Sequence, residues 1–436
     1  MPPTSDASAG CFVLRGVAGV ARRTVYCSPV LSLFLAASLG AASPVYVLIV
    51  ANNQSNDPRL ATLKFADDDG ARYFTALTPM AQHVTLLTVL DEDTQRRFPG
   101  LAAQTRPPTR PELLEALGRI NALMKVDRAA GRSPVFFFVF TGHGQRGEAG
   151  EGSIALLGAQ FTRSDLFKEV LEPSQASTTH LIIDACDSYF FVNQRGALPT
   201  AAGQAVAVAQ FLEERSLERF PNVGVVLSTS SQQESHEWAA INAGVFSHEV
   251  ISALLGAADV NSDGKIEYSE LRAFVAAANQ QVDDPRGRVQ MFARPPARDR
   301  SAPLVDLTAP TTNAWLLLPS GLQGRHWLED AHGVRLADFN KEADRPLVLA
   351  LPQGQTFYLR TAAREARLES GAAGKLIDSG QLAWTGSGIA SRGGSLDESF
   401  REHLFERPYG PRFYGGFVSS SGEVAVAPPA EPDLSP

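Results

Sequence analysis

The sequence predicts a doubly wound α/β domain, a mostly parallel sheet flanked by helices, followed by a small β-rich, sandwich-like domain. Three observations predict it. Continuous apolar, β-rich runs recur at 45–50 (VYVLIV), 135–140 (VFFFVF), 180–183 (HLII) and 223–227 (VGVVL), with a less clean run at 83–90. Runs of that kind are strands buried on both faces of a parallel sheet. Helical patterns fill the intervals, and strand–helix–strand alternation is the mark of an α/β layer architecture. After about residue 295 the texture changes to short strand candidates separated by turns.

The elements follow in order. The clearest helix starts at Thr109, whose hydroxyl can cap it with Glu112 three residues on, and places Leu113, Leu114, Leu117, Ile120 and Met124 on one face. Residues 294–300 (RPPARDR) read as a linker. Beyond it, 315–318, 327–328, 347–351 and 356–360 are strand candidates, set apart by turn sequences such as Pro-Ser-Gly and Pro-Gln-Gly. From about residue 370 the chain is rich in Gly and Ser around an aromatic, basic stretch at 407–414, and it ends in a Pro-rich tail expected to be disordered. The expected layout is therefore a leader at 1–44, an α/β domain at 45–295, a β-rich domain at 296–370 and a C-terminal region at 371–436.

With 436 residues and 46.7 kDa, two or three domains and a sizeable core are expected. The 39 Lys and Arg against 47 Asp and Glu give a net charge of −8, so there is no basic field to gather nucleic-acid phosphates. No Asp or Glu occurs between residues 7 and 56. Arg15, Arg22 and Arg23 precede an apolar stretch at 30–39 and the small residues 41–43, which is the layout of an export signal. Pro44 leaves the cleavage point open. An uncleaved anchor fits the same pattern, and a mis-assigned start would instead leave the protein cytoplasmic. No later stretch approaches a membrane span. Three cysteines, Cys11, Cys27 and Cys186, are too scattered for a disulfide framework, and export with removal of the leader would leave Cys186 as the one thiol.

Two strand ends carry chemistry. The 135–140 strand runs into Thr141-Gly142-His143-Gly144, and the 180–183 strand runs into Asp184-Ala185-Cys186-Asp187-Ser188. Ligands of doubly wound sheets sit at the carboxyl ends of strands. A thiol attacks only as thiolate and needs a neighbouring base, which histidine supplies. The amides of Gly144 and Cys186 could serve the oxygen of a tetrahedral intermediate.

In these motifs the chain resembles the caspase-like cysteine peptidases, and within them the metacaspase and bacterial branch. The resemblance spans about 45–285. It includes the first strand and loop (VYVLIVANN, 45–53), the helix start LKFADDDGA (63–71), and Ser228-Thr-Ser-Ser followed by Gly244-Val-Phe246. It implies a caspase-like fold with His143 as general base or acid, Cys186 as nucleophile, and Gly144 and Cys186 amides as oxyanion hole. In the metacaspase branch carboxylates hold a basic P1 side chain. That role falls to Asp184 and to Asp69, beside which Asp67 and Asp68 stand, and any of the three can equally cap the helix. Asp187-Ser188-Tyr189 replaces the His-Ser-Gly common in metacaspases.

Residues 259–270 meet every position of a twelve-residue calcium loop. Asp259, Asn261, Asp263 and Glu267 supply side-chain oxygens at positions 1, 3, 5 and 9, Lys265 its carbonyl at 7, and Glu270 its carboxylate at 12, with Gly264 at 6. Phe246, Val250 and Leu254 before it, and Tyr268, Leu271, Phe274 and Val275 after it, have helical spacing. The expectation is an exported, Ca2+-binding cysteine endopeptidase that cuts protein or peptide substrates after Arg or Lys. The alternative is a catalytically inactive calcium-binding interaction module that engages an envelope or protein partner through its C-terminal region.

Overall fold

The computed structural model describes residues 43–146, 151–185, 217–228, 237–283, 288–309, 311–386 and 395–421. The leader, Cys186 with the segment that follows it, and the C-terminal tail lie outside the described residues. The central sheet has seven strands: β1 (Val45–Asn52), β2 (His83–Leu87), β3 (Thr105–Arg106), β4 (Val135–Gly142), β5 (Thr178–Asp184), β6 (Val223–Ser228) and β7 (Met291–Arg294). Their order is β7-β6-β5-β4-β1-β2-β3. All neighbours run parallel except β7, which is antiparallel to β6. The order reverses between β1 and β4, so the crevice at the carboxyl ends of those two strands is the topological switch point.

The apolar runs are buried on both sides, as their composition requires. Val47, Ile49, Val139, Ile182 and Val226 share one core cluster with Ala71 of α1 (Ala66–Leu77), Phe246 of α3 (Val245–Ser252) and Leu271 of α4 (Tyr268–Asn279). Leu48, Val50, Phe138, Phe140 and Ile183 point the other way, onto Leu113, Leu117, Ile120 and Met124 of α2 (Arg110–Ala129). The two-residue period of a strand makes this division automatic. The N-cap expected for α2 forms: the Glu112 amide donates to Thr109 Oγ1 at 3.4 Å.

Two further sheets follow. One places Ala314–Leu318 between Leu347–Leu351 and Leu376–Asp378, and the other runs Arg335–Lys341, Gly324–Asp330, Thr356–Arg360, Arg364–Glu369, Trp384–Gly386. Their buried residues, among them Leu316, Leu349, Leu328 and Phe357, join the same cluster as α3 and α4. At this junction His248 Nε2 meets Asp338 Oδ2 at 2.8 Å, both fully buried, and Asp338 also takes the Arg335 guanidinium and lies 3.8 Å from Arg325. Burial raises the Asp338 carboxyl, but the Arg335 guanidinium and the His248 ring outweigh it and hold the carboxyl well below its usual pKa. Asp338→Ala is expected to cost about 3–5 kcal/mol, because it strands buried charges without a partner. Denaturant unfolding checks this, and a loss under about 1 kcal/mol would refute it.

Two expectations about segments are corrected. The stretch read as a linker begins inside the sheet, since Arg294 pairs with Val225 in β7, and the Arg298 amide donates to the Pro221 carbonyl at 2.7 Å. The region after residue 370, expected to lack helices, forms α5 (Ser395–His403) and α6 (Pro411–Ser421). Tyr409 and Tyr414 of its aromatic stretch are buried. Among the described residues no helix is long and apolar enough to cross a membrane.

Candidate active site

Strand register brings the two predicted ends side by side. In the β4–β5 pair Thr141 faces Asp184, and in the β1–β4 pair Gly142 faces Asn52. His143 is two residues past Thr141, at the switch point. Cys186 is two residues past Asp184 in sequence and lies outside the described residues. The turn into His143 needs glycine: Gly142 has φ +151°, and a Cβ there would sit 2.7 Å from the Asn52 carbonyl oxygen. Gly144 opens a short strand, Gly144–Arg146, antiparallel to Gly152–Leu156.

The His143 side chain is nearly buried, at 8% exposure. It is hydrogen-bonded to the Ala61 carbonyl, and its Nε2 has no partner among the described residues. Burial pulls the imidazole pKa below its usual value, against the Ala61 carbonyl and the Glu237 carboxylate, which raise it. The ring is therefore neutral at pH 7, with a nitrogen available to accept a proton.

The three consecutive aspartates at the start of α1 separate by role. None of them caps the helix; Asn53 does, its Oδ1 accepting from the Ala66 amide at 2.8 Å and the Asp67 amide at 3.3 Å. Asp67 takes the Asn53 side chain at 2.7 Å and the Asp91 amide at 2.9 Å. Asp68 takes Arg97 in two bonds of 2.8 and 2.9 Å and the Thr94 hydroxyl at 3.0 Å. Both are fully employed in holding the following segment.

Asp69 faces the other way, towards Asp184. The Gly244 amide donates to its Oδ2 at 2.9 Å and its Oδ1 at 3.1 Å, and a Cβ on Gly244 would stand 2.6 Å from Asp69 Oδ2 and 3.3 Å from Asp184 Oδ2. The two carboxyls thus converge on one glycine. The Ser247 hydroxyl donates to Asp184 Oδ2 at 2.6 Å. Burial, opposed by the Ser247 bonds, pushes Asp184 up to about 6, while burial drives Asp69 well above its usual range, with Arg72 opposing and Asp184 adding to the rise. Arg72, 3.7 Å from Asp69, is buried and also donates to the Ile241 carbonyl. The Tyr73 hydroxyl is buried nearby, beside the Ser247 hydroxyl.

Sequence reasoning missed Ser247, Glu237, Tyr73 and the Ala61 carbonyl. None belongs to a motif, and each comes from an element distant in the chain from the strand ends. A cleft of about 590 Å3 opens elsewhere, lined by Phe74, Phe98, Asp330 and Gln353 among others and by none of the candidate residues.

In the 259–270 loop the Gly264 amide donates to Asp259 Oδ2 at 3.0 Å, the Asp263 amide to Asn261 Oδ1 at 3.1 Å, and the Lys265 amide to Asp263 Oδ1 at 2.9 Å. Glu270 spans the loop, Oε1 accepting from the Val260 amide at 2.8 Å and Oε2 from the Glu267 amide at 3.0 Å. Burial pushes Asp259 up to about 7, and burial together with Glu267 pushes Glu270 up to about 11. Among the described residues no group of three or more His, Cys, Asp or Glu side chains is gathered closely enough to hold a metal ion. The loop's oxygens include an amide, and Glu270 is turned onto backbone amides.

No family model matches the chain, and no curated protein matches it. Among solved structures, protein GSU0716 from Geobacter sulfurreducens is similar over 57% of this chain and 93% of its own, at 15% identity and a TM-score of 0.32. S.CueP is similar over 22% of this chain and 69% of its own, at 13% identity and a TM-score of 0.13.

Proposed function

We propose that this protein is a caspase-like cysteine endopeptidase that hydrolyses peptide bonds after arginine or lysine. The observation that carries the reading is the convergence of Asp69 and Asp184 on Gly244, beside the strand end that leads to Cys186 and next to the strand that leads to His143. Burial keeps both carboxyls under-ionised, and the Arg72 guanidinium beside Asp69 offsets this only in part. A guanidinium or ammonium inserted between them supplies the missing positive charge through charge-assisted hydrogen bonds.

In the chemistry proposed, neutral His143, oriented through the Ala61 carbonyl, takes the Cys186 thiol proton at Nε2. The thiolate adds to the scissile carbonyl, and the Gly144 and Cys186 amides receive the oxyanion. The imidazolium then protonates the departing amine. Water, deprotonated by the same ring, releases the acyl group from sulfur. The Ala61 carbonyl does the orienting, so no third acidic side chain is required.

A thiol-reactive ketone probe ending in arginine tests the reading. It is expected to label one site per chain, at Cys186, and excess Arg-ended peptide is expected to prevent labelling. An unlabelled chain, or labelling that a neutral-ended probe matches in rate, would refute the assignment.

A further inference from the structure

The imidazole of His143 and the carboxyls of Asp69 and Asp184 stand on different elements, and one side chain, Glu237, is fastened to the frame of both. Glu237–Trp238 pairs antiparallel with Ala243–Gly244 in a short hairpin, with Glu237 facing Gly244. The hairpin is anchored from behind. Trp238 is buried, and the Ile241 carbonyl at its turn accepts from the buried Arg72 guanidinium of α1. On its second strand the Gly244 amide holds Asp69.

From this hairpin the Glu237 side chain reaches the chain just ahead of α1. Its Oε1 accepts from the Lys64 amide at 2.8 Å and from the Phe65 amide at 3.2 Å. Amide bonds to a carboxylate are charge-assisted and stronger than bonds to a neutral acceptor. What they hold matters to the site, because the Ala61 carbonyl of the same stretch is bonded to the His143 ring. That stretch is otherwise lightly held. It lies outside regular structure, with Ala61, Thr62 and Lys64 exposed, and the Leu63 amide donates to the Asn53 carbonyl at 2.9 Å. Exposed backbone with few bonds opens locally at little cost in free energy.

The same carboxylate also acts at longer range on both halves of the site. Burial lowers the His143 imidazole, and the Ala61 carbonyl and Glu237 oppose it. Burial raises Asp184 against the Ser247 bonds, and Glu237 adds to the rise. Asp184 is faced besides by Glu249 of α3 and by Asp69 and Tyr73 of α1.

We infer that Glu237 is a positioning residue: through the Lys64 and Phe65 amides it fixes the segment whose Ala61 carbonyl orients His143, and through Gly244 it ties that segment to the Asp69 pocket. The consequence for turnover rests on the proposed peptidase reading; the clamp rests on geometry. Two variants of the full chain separate bonding from charge. Glu237→Gln keeps an oxygen for the two amides and removes the charge, whereas Glu237→Ala removes both. Hydrogen exchange of the 60–66 peptide is expected to run about 10-fold faster in Glu237→Ala and to stay within about twofold of wild type in Glu237→Gln. Followed by NMR, the His143 ring is expected to titrate at lower pH in Glu237→Gln, because a neighbouring negative charge has gone. On an Arg-ended reporter Glu237→Ala is expected to lose about 100-fold in kcat with little change in KM, and Glu237→Gln to recover most of it. If the alanine variant does not fold, Glu237→Asp, one methylene shorter, takes its place and should quicken exchange in the same peptide.

Unchanged exchange in the shortened variants, or equal kcat losses in Glu237→Ala and Glu237→Gln, would overturn the clamp. A His143 titration unmoved in Glu237→Gln would overturn the action on the imidazole. Exchange and titration need no hydrolysis, so a wild type inert towards both reporter and ketone probe would remove the peptidase reading alone, and these two measurements would still decide the clamp.

Discussion

Cys186→Ala is expected to abolish hydrolysis of Arg-ended reporter peptides, and His143→Ala to lower kcat on the order of 10^4-fold with little change in KM. The reason lies in the division of labour at the strand ends. In the proposed mechanism the Cys186 sulfur is the bond-forming atom. There the imidazole supplies thiolate from a thiol that is otherwise mostly protonated at neutral pH. Burial keeps the ring neutral at rest, so it receives a proton instead of merely pairing with an existing thiolate. Because the two groups act as a unit, the double variant is expected to lose no more than the worse single one. Burst and steady-state rates on one fluorogenic peptide measure all three. Turnover surviving in Cys186→Ala would remove the nucleophile assignment.

Asp184→Asn is expected to cut kcat/KM for an Arg-ended reporter by about 100-fold or more, the scale of losing one partner from a buried charge pair. A citrulline-ended reporter, equal in size but uncharged, should change little. The pH dependence has a definite sign. Asp184 is raised to about 6, so at pH 5 it is protonated and offers no charge, and at pH 7 it is ionised. The Arg-to-citrulline ratio of kcat/KM is therefore expected to rise as pH increases through about 6 and then level off. Asp69, Glu237 and Arg72 face the same space and displace the midpoint without reversing the direction. In Asp184→Asn the rise should be lost. A ratio independent of pH in the wild type, or a preference for Asp at P1, would exclude the acidic pocket.

Much of the scaffold was legible from local pattern. The runs at 45–50, 135–140, 180–183 and 223–227 are β1, β4, β5 and β6, and all four are buried on both faces. The helix expected from Thr109 is α2, with its cap in place. These succeed because a strand or helix with strong periodicity is decided by its own residues. The segments misread, at 294–300 and beyond 370, are those whose composition suggests a linker or tail. Arg294 joins an edge strand because β6 had an unpaired edge to offer. Tyr409 and Tyr414 are buried because a neighbouring surface was there to cover them.

At the site the resemblance pointed to Asp69, and the residues themselves gave no means of separating it from Asp67 and Asp68 beside it. A helix places consecutive residues about 100° apart, so three adjacent carboxyls must face three different neighbours. Which neighbour waits in each direction is a matter of packing: Asn53 and Asp91 for the first, Arg97 for the second, and Gly244 with Asp184 for the third.

The amino-acid sequence by itself determined the strand runs, the histidine and the thiol at two strand ends, and the spacing of oxygens at 259–270, because these depend on neighbours along the chain. Only the tertiary structure decided that Asp69 and Asp184 meet at Gly244, that Ser247 on the helix entering the 259–270 loop holds one of them, and that Ala61 holds the imidazole. Those contacts join residues between about 60 and 175 positions apart. Their partners are chosen by how helices stack on the sheet, which no stretch of sequence encodes alone.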